Sequence, residues 1–237
     1  EQTYELYERS TQVPVVHSVS FSYKDIDTWH KVALGEIEGH IYSRNTNPTV
    51  RVFEDKVKEL EGAEASTSFS SGMAAISNTL GAFLKSGDRV VSIKDSYGGT
   101  NVIFNEFLPP LNIQVSLCDT NDHEEIISEI SKGCEVLYLE TPTNPTIKIT
   151  DIKNLSIAAK KVGAIVVVDN TFATPINQNP LELGADIVLH SASKYLGGHA
   201  DALGGIICGG KDLIKKVYHY REINGATLAP MDAYSLL

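Results

Sequence analysis

Two runs, Val136-Leu137-Tyr138-Leu139 and Ile165-Val166-Val167-Val168, are apolar at every position rather than at alternate ones. A strand with one wet face alternates, so a strand apolar on both sides must be covered on both. Strand-sized runs fall at 66–70, 89–93, 113–117, 135–139, 164–169 and 186–190. Between and after them lie helix-like stretches at 47–62, 72–84, 100–107, 123–131, 151–162 and 211–222. In the first of these, Asn47 is placed to cap and Pro48 to open the helix, with Gly62 to close it. Alternation of this kind predicts an α/β fold, a mainly parallel sheet flanked by helices. Ligands of such sheets gather at the carboxyl ends of the strands.

The 237 residues are 42% hydrophobic and 21% charged, enough to bury a full core in one or two domains. Thirty acidic against twenty basic residues leave a charge of −10, which argues against nucleic acid or an anionic membrane as partner. No apolar run reaches the ~18 residues of a membrane-spanning helix. Cys118, Cys134 and Cys208 lie far apart without a CxxC. Sparse, odd cysteines read as reduced thiols, and with no signal-like start they point to the cytoplasm. Cys118 and His123 alone do not make a metal site, and no metal is expected.

Residues 1–46 differ from the rest: 13–23 reads as extended and 25–39 as polar and loop-like. Residues 231–237 read as helix, and the chain stops there abruptly for a fold of this kind.

Four strand ends carry chemistry. At Ser70-Ser71-Gly72-Met73 a strand turns into a helix, whose first N–H groups and two hydroxyls suit an anion; a plain N-cap with a glycine turn has the same sequence. At Asp95-Ser96-Tyr97-Gly98-Gly99-Thr100, Tyr97 could stack on a flat ligand or sit in an ordinary turn. Asp169 ends a central strand, where a cationic ligand nitrogen or the turn after it could satisfy the carboxylate. Lys194 follows an apolar strand within His190-Ser191-Ala192-Ser193-Lys194. A desolvated lysine there would form a Schiff base with an aldehyde, with Ser191 and Ser193 gripping a phosphate; a surface lysine before Gly197-Gly198 is the alternative. Phosphate cradle, stacking ring, acid and Schiff-base lysine together are the parts that hold pyridoxal phosphate.

The longer motifs resemble the cysteine/methionine-metabolism family of pyridoxal-phosphate-dependent enzymes: cystathionine γ-synthases, cystathionine γ-lyases, methionine γ-lyases and O-acylhomoserine sulfhydrylases. They are Val168-Asp169-Asn170-Thr171-Phe172-Ala173-Thr174-Pro175, Pro180-Leu181-Glu182-Leu183-Gly184-Ala185-Asp186 and Ser191-Ala192-Ser193-Lys194-Tyr195. The likeness extends to Tyr42-Ser43-Arg44, Asn47-Pro48-Thr49, Ser71-Gly72-Met73, Tyr97-Gly98-Gly99-Thr100 and Glu140-Thr141-Pro142-Thr143-Asn144-Pro145. It implies a fold-type I, aspartate-aminotransferase-like transferase fold, with 47–237 as the large cofactor domain and the smaller C-terminal domain largely absent. Residues 1–46 become an arm reaching the neighbouring subunit.

By the same resemblance Lys194 holds the cofactor and moves protons, Asp169 pairs with the ring nitrogen, and Tyr97 stacks on the ring and acts as an acid. Gly72 and Met73 amides, beside Ser71, hold the phosphate with Ser191 and Ser193. Asn144 lies near the 3-oxygen, and Tyr42 with Arg44 reaches the phosphate from the partner in a homotetramer built of dimers. The implied activity is γ-elimination or γ-replacement on homoserine-derived sulfur amino acids in cysteine and methionine metabolism. Cystathionine γ-synthase or γ-lyase chemistry comes first, then O-acylhomoserine sulfhydrylase, then methionine γ-lyase. Gly99 stands where methionine γ-lyases have cysteine, and Ser193 where many relatives have threonine. A non-catalytic binding or assembly module on the same fold is the rival class; the presence of Lys194, Asp169 and Tyr97 argues against it.

Overall fold

The computed structural model describes residues 10–237. Seven strands make one sheet: β1 (Ala65–Phe69), β2 (Arg89–Ile93), β3 (Gln114–Cys118), β4 (Val136–Glu140), β5 (Ile165–Asp169), β6 (Ile187–Ser191) and β7 (Gly205–Gly209). Their order is β1-β7-β6-β5-β4-β2-β3. The five strands from β6 to β3 run parallel, and β7 is antiparallel to both β6 and β1. The mainly parallel α/β sheet is the one expected, but β7 was not. It is short, glycine-bounded and fully buried. A Cβ on Gly205 would fall 2.2 Å from the carbonyl oxygen of Ser71, so glycine there lets the sheet meet the turn of the first strand end.

Among the described residues nine α-helices surround it: α1 (Ile26–Ala33), α2 (Pro48–Glu61), α3 (Gly72–Phe83), α4 (Gly98–Val102), α5 (His123–Ser131), α6 (Ile152–Lys161), α7 (Thr174–Asn177), α8 (Lys211–Asn224) and α9 (Pro230–Ser235). Asn47 caps α2 through Thr49 N at 2.9 Å, Pro48 opens it, and Gly62 ends it at φ 64°. The stretch read as polar loop contains α1, capped by Asp25 accepting from Thr28 N at 2.7 Å. Ile26, Trp29, Val32 and Ala33 do recur at helical spacing, a short stripe that the loop reading overlooks, although only Val32 is buried. The helix expected over 100–107 starts at Gly98 and loosens into a π turn at Ile103–Phe107.

Period two along the strands divides the core. Tyr138, Val167 and Leu189 face α3 and α8, packing with Ile76, Leu80 and Val217. Leu139, Val166 and Val168 face α5 and α6, packing with Ile126, Ile130 and Leu155. Burying each such side chain contributes roughly 1.5–3 kcal/mol, which makes the two-sided cover of β4 and β5 the main source of cohesion. A third cluster seats α2 and α9 on β7 through Phe53, Val57, Cys208 and Ala233. The same periodicity sends Glu140, Asp169 and Ser191, each two residues beyond a core side chain, to the carboxyl ends on the α3 side. All three cysteines are buried and free, and among the described residues no helix is long and apolar enough to cross a membrane.

Candidate active site

A cavity of about 580 Å3 opens where β4, β5 and β6 end, and nine of the eleven site residues expected from the sequence line it. They are Ser71, Gly72, Met73, Tyr97, Asn144, Asp169, Ser191, Ser193 and Lys194.

Its floor begins with α3. Ser71 is the N-cap, its Oγ accepting from Ala74 N at 3.0 Å, so the N–H groups of Gly72 and Met73 at the start of the helix are left for a ligand. A Cβ on Gly72 would lie 2.6 Å from that of Ser191. Only glycine lets the helix start come this close to the end of β6, and the pair forms one concave cradle. The backbone N–H of Ser191 donates to Thr171 Oγ1 at 2.8 Å, which fixes the end of β6 against the turn after β5.

Asp169 is 7% exposed. Its Oδ1 accepts from Thr171 N at 3.0 Å and its Oδ2 from the Tyr138 hydroxyl at 3.3 Å. Burial pushes its carboxyl above the usual carboxylate range, against the Thr171 hydrogen bond. Burial, with Asp169 alongside, also drives the Tyr138 phenol well above its usual range, so the hydroxyl stays a donor. Asp169 is thus a buried acid held by neutral donors, the setting in which a cationic nitrogen binds best.

Two expectations need correction. Lys194 is exposed at the cavity mouth rather than desolvated, because it sits in the turn after β6, outside the sheet's apolar cover. Ser191 and Ser193 do not alternate along an extended segment, since β6 ends at Ser191. Ser193 lies in the turn, where its Oγ accepts from Gly204 N at 2.9 Å; both hydroxyls nonetheless border the cavity.

Tyr97, 45% exposed, covers one side of the opening, and Asn144 borders another. What joins them was missed. Glu140, 5% exposed at the end of β4, accepts from Tyr97 N at 2.7 Å and from Asn144 N at 2.9 Å. Burial, reinforced by the charge of Asp169, raises its pKa to about 7 despite those two donors. The signal was present: Glu140 follows four apolar residues as Asp169 does, and the two are paired neighbours in the sheet.

Tyr42 and Arg44 do not line this cavity. Tyr42 forms an isolated antiparallel bridge with Ser20, and Arg44 Nη1 donates to the carbonyl of Glu222 at 2.6 Å. The first nine residues of the expected arm lie outside the described residues. Among the described residues no three His, Cys, Asp or Glu side chains are grouped to hold a metal.

The cofactor implied by the resemblance fits these residues. The Gly72–Ser191 cradle suits a phosphate, buried Asp169 suits a ring cation, Tyr97 offers a flat face, and Lys194 offers an amine at the mouth.

Comparison with known proteins agrees. Residues 1–237 match the family described as Cys/Met metabolism PLP-dependent enzyme. The chain is 43% identical over 221 residues to the cystathionine gamma-lyase of Bacillus subtilis, covering 93% of this chain and 58% of that protein. It is 41% identical over 228 residues to the L-methionine gamma-lyase of Fusobacterium nucleatum subsp. nucleatum, covering 95% and 58%. Its fold matches cystathionine gamma synthase from Xanthomonas oryzae pv. oryzae in complex with cystathionine, with a TM-score of 0.89 and 34% identity over 96% of this chain and 57% of that one. The chain therefore spans a little over half the length of these relatives. With its parallel sheet, its cradle and a match along its whole length, the chain belongs to the Cys/Met-metabolism family of enzymes, whose cofactor is pyridoxal 5′-phosphate.

Proposed function

We propose that this chain is the cofactor domain of a cytoplasmic enzyme acting at the γ-carbon of homoserine-derived sulfur amino acids, by elimination or replacement of the cystathionine γ-synthase/γ-lyase type. The observation that carries the reading is the convergence of Lys194, Asp169 and the Gly72–Ser191 cradle on one cavity. When bound, pyridoxal phosphate supplies an electron sink that stabilises negative charge at the substrate's α-carbon. Lys194 Nζ would be the amine that holds the cofactor's aldehyde carbon, and it would be placed to carry protons at the substrate's carbons. Asp169 keeps a proton on the ring nitrogen, its carboxylate favoured there by the opposite charge. Tyr97, which lines the cavity, would offer its face to the ring and its hydroxyl as a proton donor to the departing group. Gly72, Met73, Ser191 and Ser193 hold the phosphate, beside Ser71.

Tyr42 and Arg44 do not line their own chain's cavity, which leaves them for a partner's site in a homotetramer of paired dimers. O-acylhomoserine sulfhydrylase is the second reading and methionine γ-lyase the third. Against the third stands Gly99, at the position where methionine γ-lyases resemble one another in having cysteine.

Borohydride reduction of the holoprotein followed by peptide mapping tests the site. Label on Lys194 and loss of the visible band in Lys194→Ala are expected; label on another lysine refutes the assignment. Product analysis with cystathionine, O-acylhomoserine and methionine as substrates then distinguishes the three activities.

A further inference from the structure

We propose that Glu140 is the positioning residue that sets Tyr97 and Asn144 against the cofactor, one buried carboxylate joining the two loops that flank the cavity. The inference rests on the site assignment above and adds to it a residue that touches neither reacting atom. Each carboxylate oxygen receives one backbone N–H, Oε2 from Tyr97 at 2.7 Å and Oε1 from Asn144 at 2.9 Å. Hydrogen bonds to a carboxylate are the strong kind, and here they replace what the loops lack. Tyr97 precedes α4 without any side-chain cap, and Asn144 lies between β4 and α6 in a loop with no ladder of its own.

The two loops meet again on their outer side. Asp95 Oδ2 lies 2.8 Å from Lys148 Nζ and 2.5 Å from Thr120 Oγ1, and the Lys148 hydrogen bond holds the Asp95 carboxyl below its usual range. That outer tie is partly exposed, so solvent and salt weaken it. The inner tie is shielded, Glu140 being buried, and it holds the backbone of Tyr97 itself. Glu140 borders the cavity, and each of its oxygens faces a loop N–H, the arrangement of a holder.

Glu140→Gln and Glu140→Ala, made in the holoprotein, test this. Gln keeps one carbonyl oxygen but presents NH2 to the other N–H, so it releases one loop; Ala releases both. The Kd for pyridoxal phosphate, titrated by visible absorbance, should rise about threefold or more in Glu140→Gln and about tenfold or more in Glu140→Ala. The visible circular dichroism of the bound cofactor should weaken in the same order, while Asp95→Asn changes both less than Glu140→Ala does. In a Tyr97→Ala/Asn144→Ala background the two backbone N–H groups remain but the side chains they would position are gone, so adding Glu140→Ala should change Kd by less than about twofold.

Unchanged Kd and dichroism in Glu140→Ala would overturn the role of Glu140, as would an undiminished effect in the double-variant background. Should Glu140→Ala not fold, Glu140→Gln decides by the same two readouts. A wild-type protein that takes up no cofactor sinks the site assignment itself, and this proposal with it.

Discussion

Nε2 of His190 lies 2.6 Å from Oε1 of Glu61, and both side chains are wholly shielded from solvent. The same Oε1 accepts from Asn170 Nδ2 at 3.0 Å, and Gln178 extends the chain of contacts to Asn170 Oδ1 and the Thr141 carbonyl, both at 2.9 Å. His190 precedes Ser191 and Asn170 follows Asp169. This network therefore joins the end of α2 to the strand ends that carry the site.

Removing Glu61 leaves the buried His190 ring without a partner and takes one acceptor from Asn170, which keeps Gln178. Glu61→Ala should destabilise the protein by about 3 kcal/mol, the cost of stranding buried donors, in urea denaturation. Replacing Glu61 and His190 together by leucine should cost less than that single change. A double replacement as damaging as the single one would show that the pair's own attraction dominates.

The elevated pKa of Glu140 predicts how stability varies with pH. In the unfolded chain Glu140 releases its proton near its ordinary 4.5; in the cofactor-free folded chain it does so at about 7. Between those values the folded state binds the extra proton, so stability falls as pH rises. The contribution is fully present below pH 4.5 and lost through about pH 7. Its size is about 3 kcal/mol, from 1.36 kcal/mol per pKa unit. Glu140→Gln should flatten the profile across that window, read as the difference between the two proteins' unfolding free energies at each pH. A parallel pair of profiles would refute the shift. Asp169, raised by burial, slopes the same way.

Asp169→Asn removes the charge and keeps the shape. The amide cannot hold a proton on the ring nitrogen, so turnover should drop by orders of magnitude. Cofactor should still bind through Lys194 and the Gly72–Ser191 cradle, and visible absorbance checks that independently of activity. Near-normal turnover would move Asp169 out of the proposed role.

Strand–helix alternation made the parallel sheet legible, and four polar strand ends pointed to the cavity. What escaped was short, or was set by contacts distant in sequence. β7 is five residues between glycines, set by the close approach of Ser71 and by pairing with β1 and β6, none of which is local in sequence. α1 buries one side chain. Glu140 carried the same pattern as Asp169, but its partners are backbone N–H groups of two other loops, which leave no mark on residue type. The exposure of Lys194 follows from where β6 stops, a boundary that composition does not fix.

The last prediction concerns Arg44. Within its own chain it donates to the Glu222 carbonyl at 2.6 Å, while Arg221 Nη2 donates to the Asn45 carbonyl at 2.7 Å. Arg221 is buried and also donates to the Ser68 carbonyl at 3.0 Å, so the root of the arm is anchored to β1 and α8. Arg44 thus stands on a fixed base and does not line its own chain's cavity. If it reaches a partner's phosphate, a two-pronged contact for which arginine is suited, Arg44→Ala should raise the cofactor Kd by about tenfold or more. If it only caps the end of α8, cofactor binding should stay unchanged. Subunit mixing separates service in trans from service in cis. At a cofactor concentration where Arg44→Ala is inactive, it is combined with inactive Lys194→Ala and the subunits are allowed to exchange. In trans, a hybrid dimer holds one site with both defects and one with neither. Activity should then return to about a quarter of wild type, half the dimers being hybrid with half their sites intact. Verified exchange with no recovery would place Arg44 in its own subunit's site and end the shared-site reading.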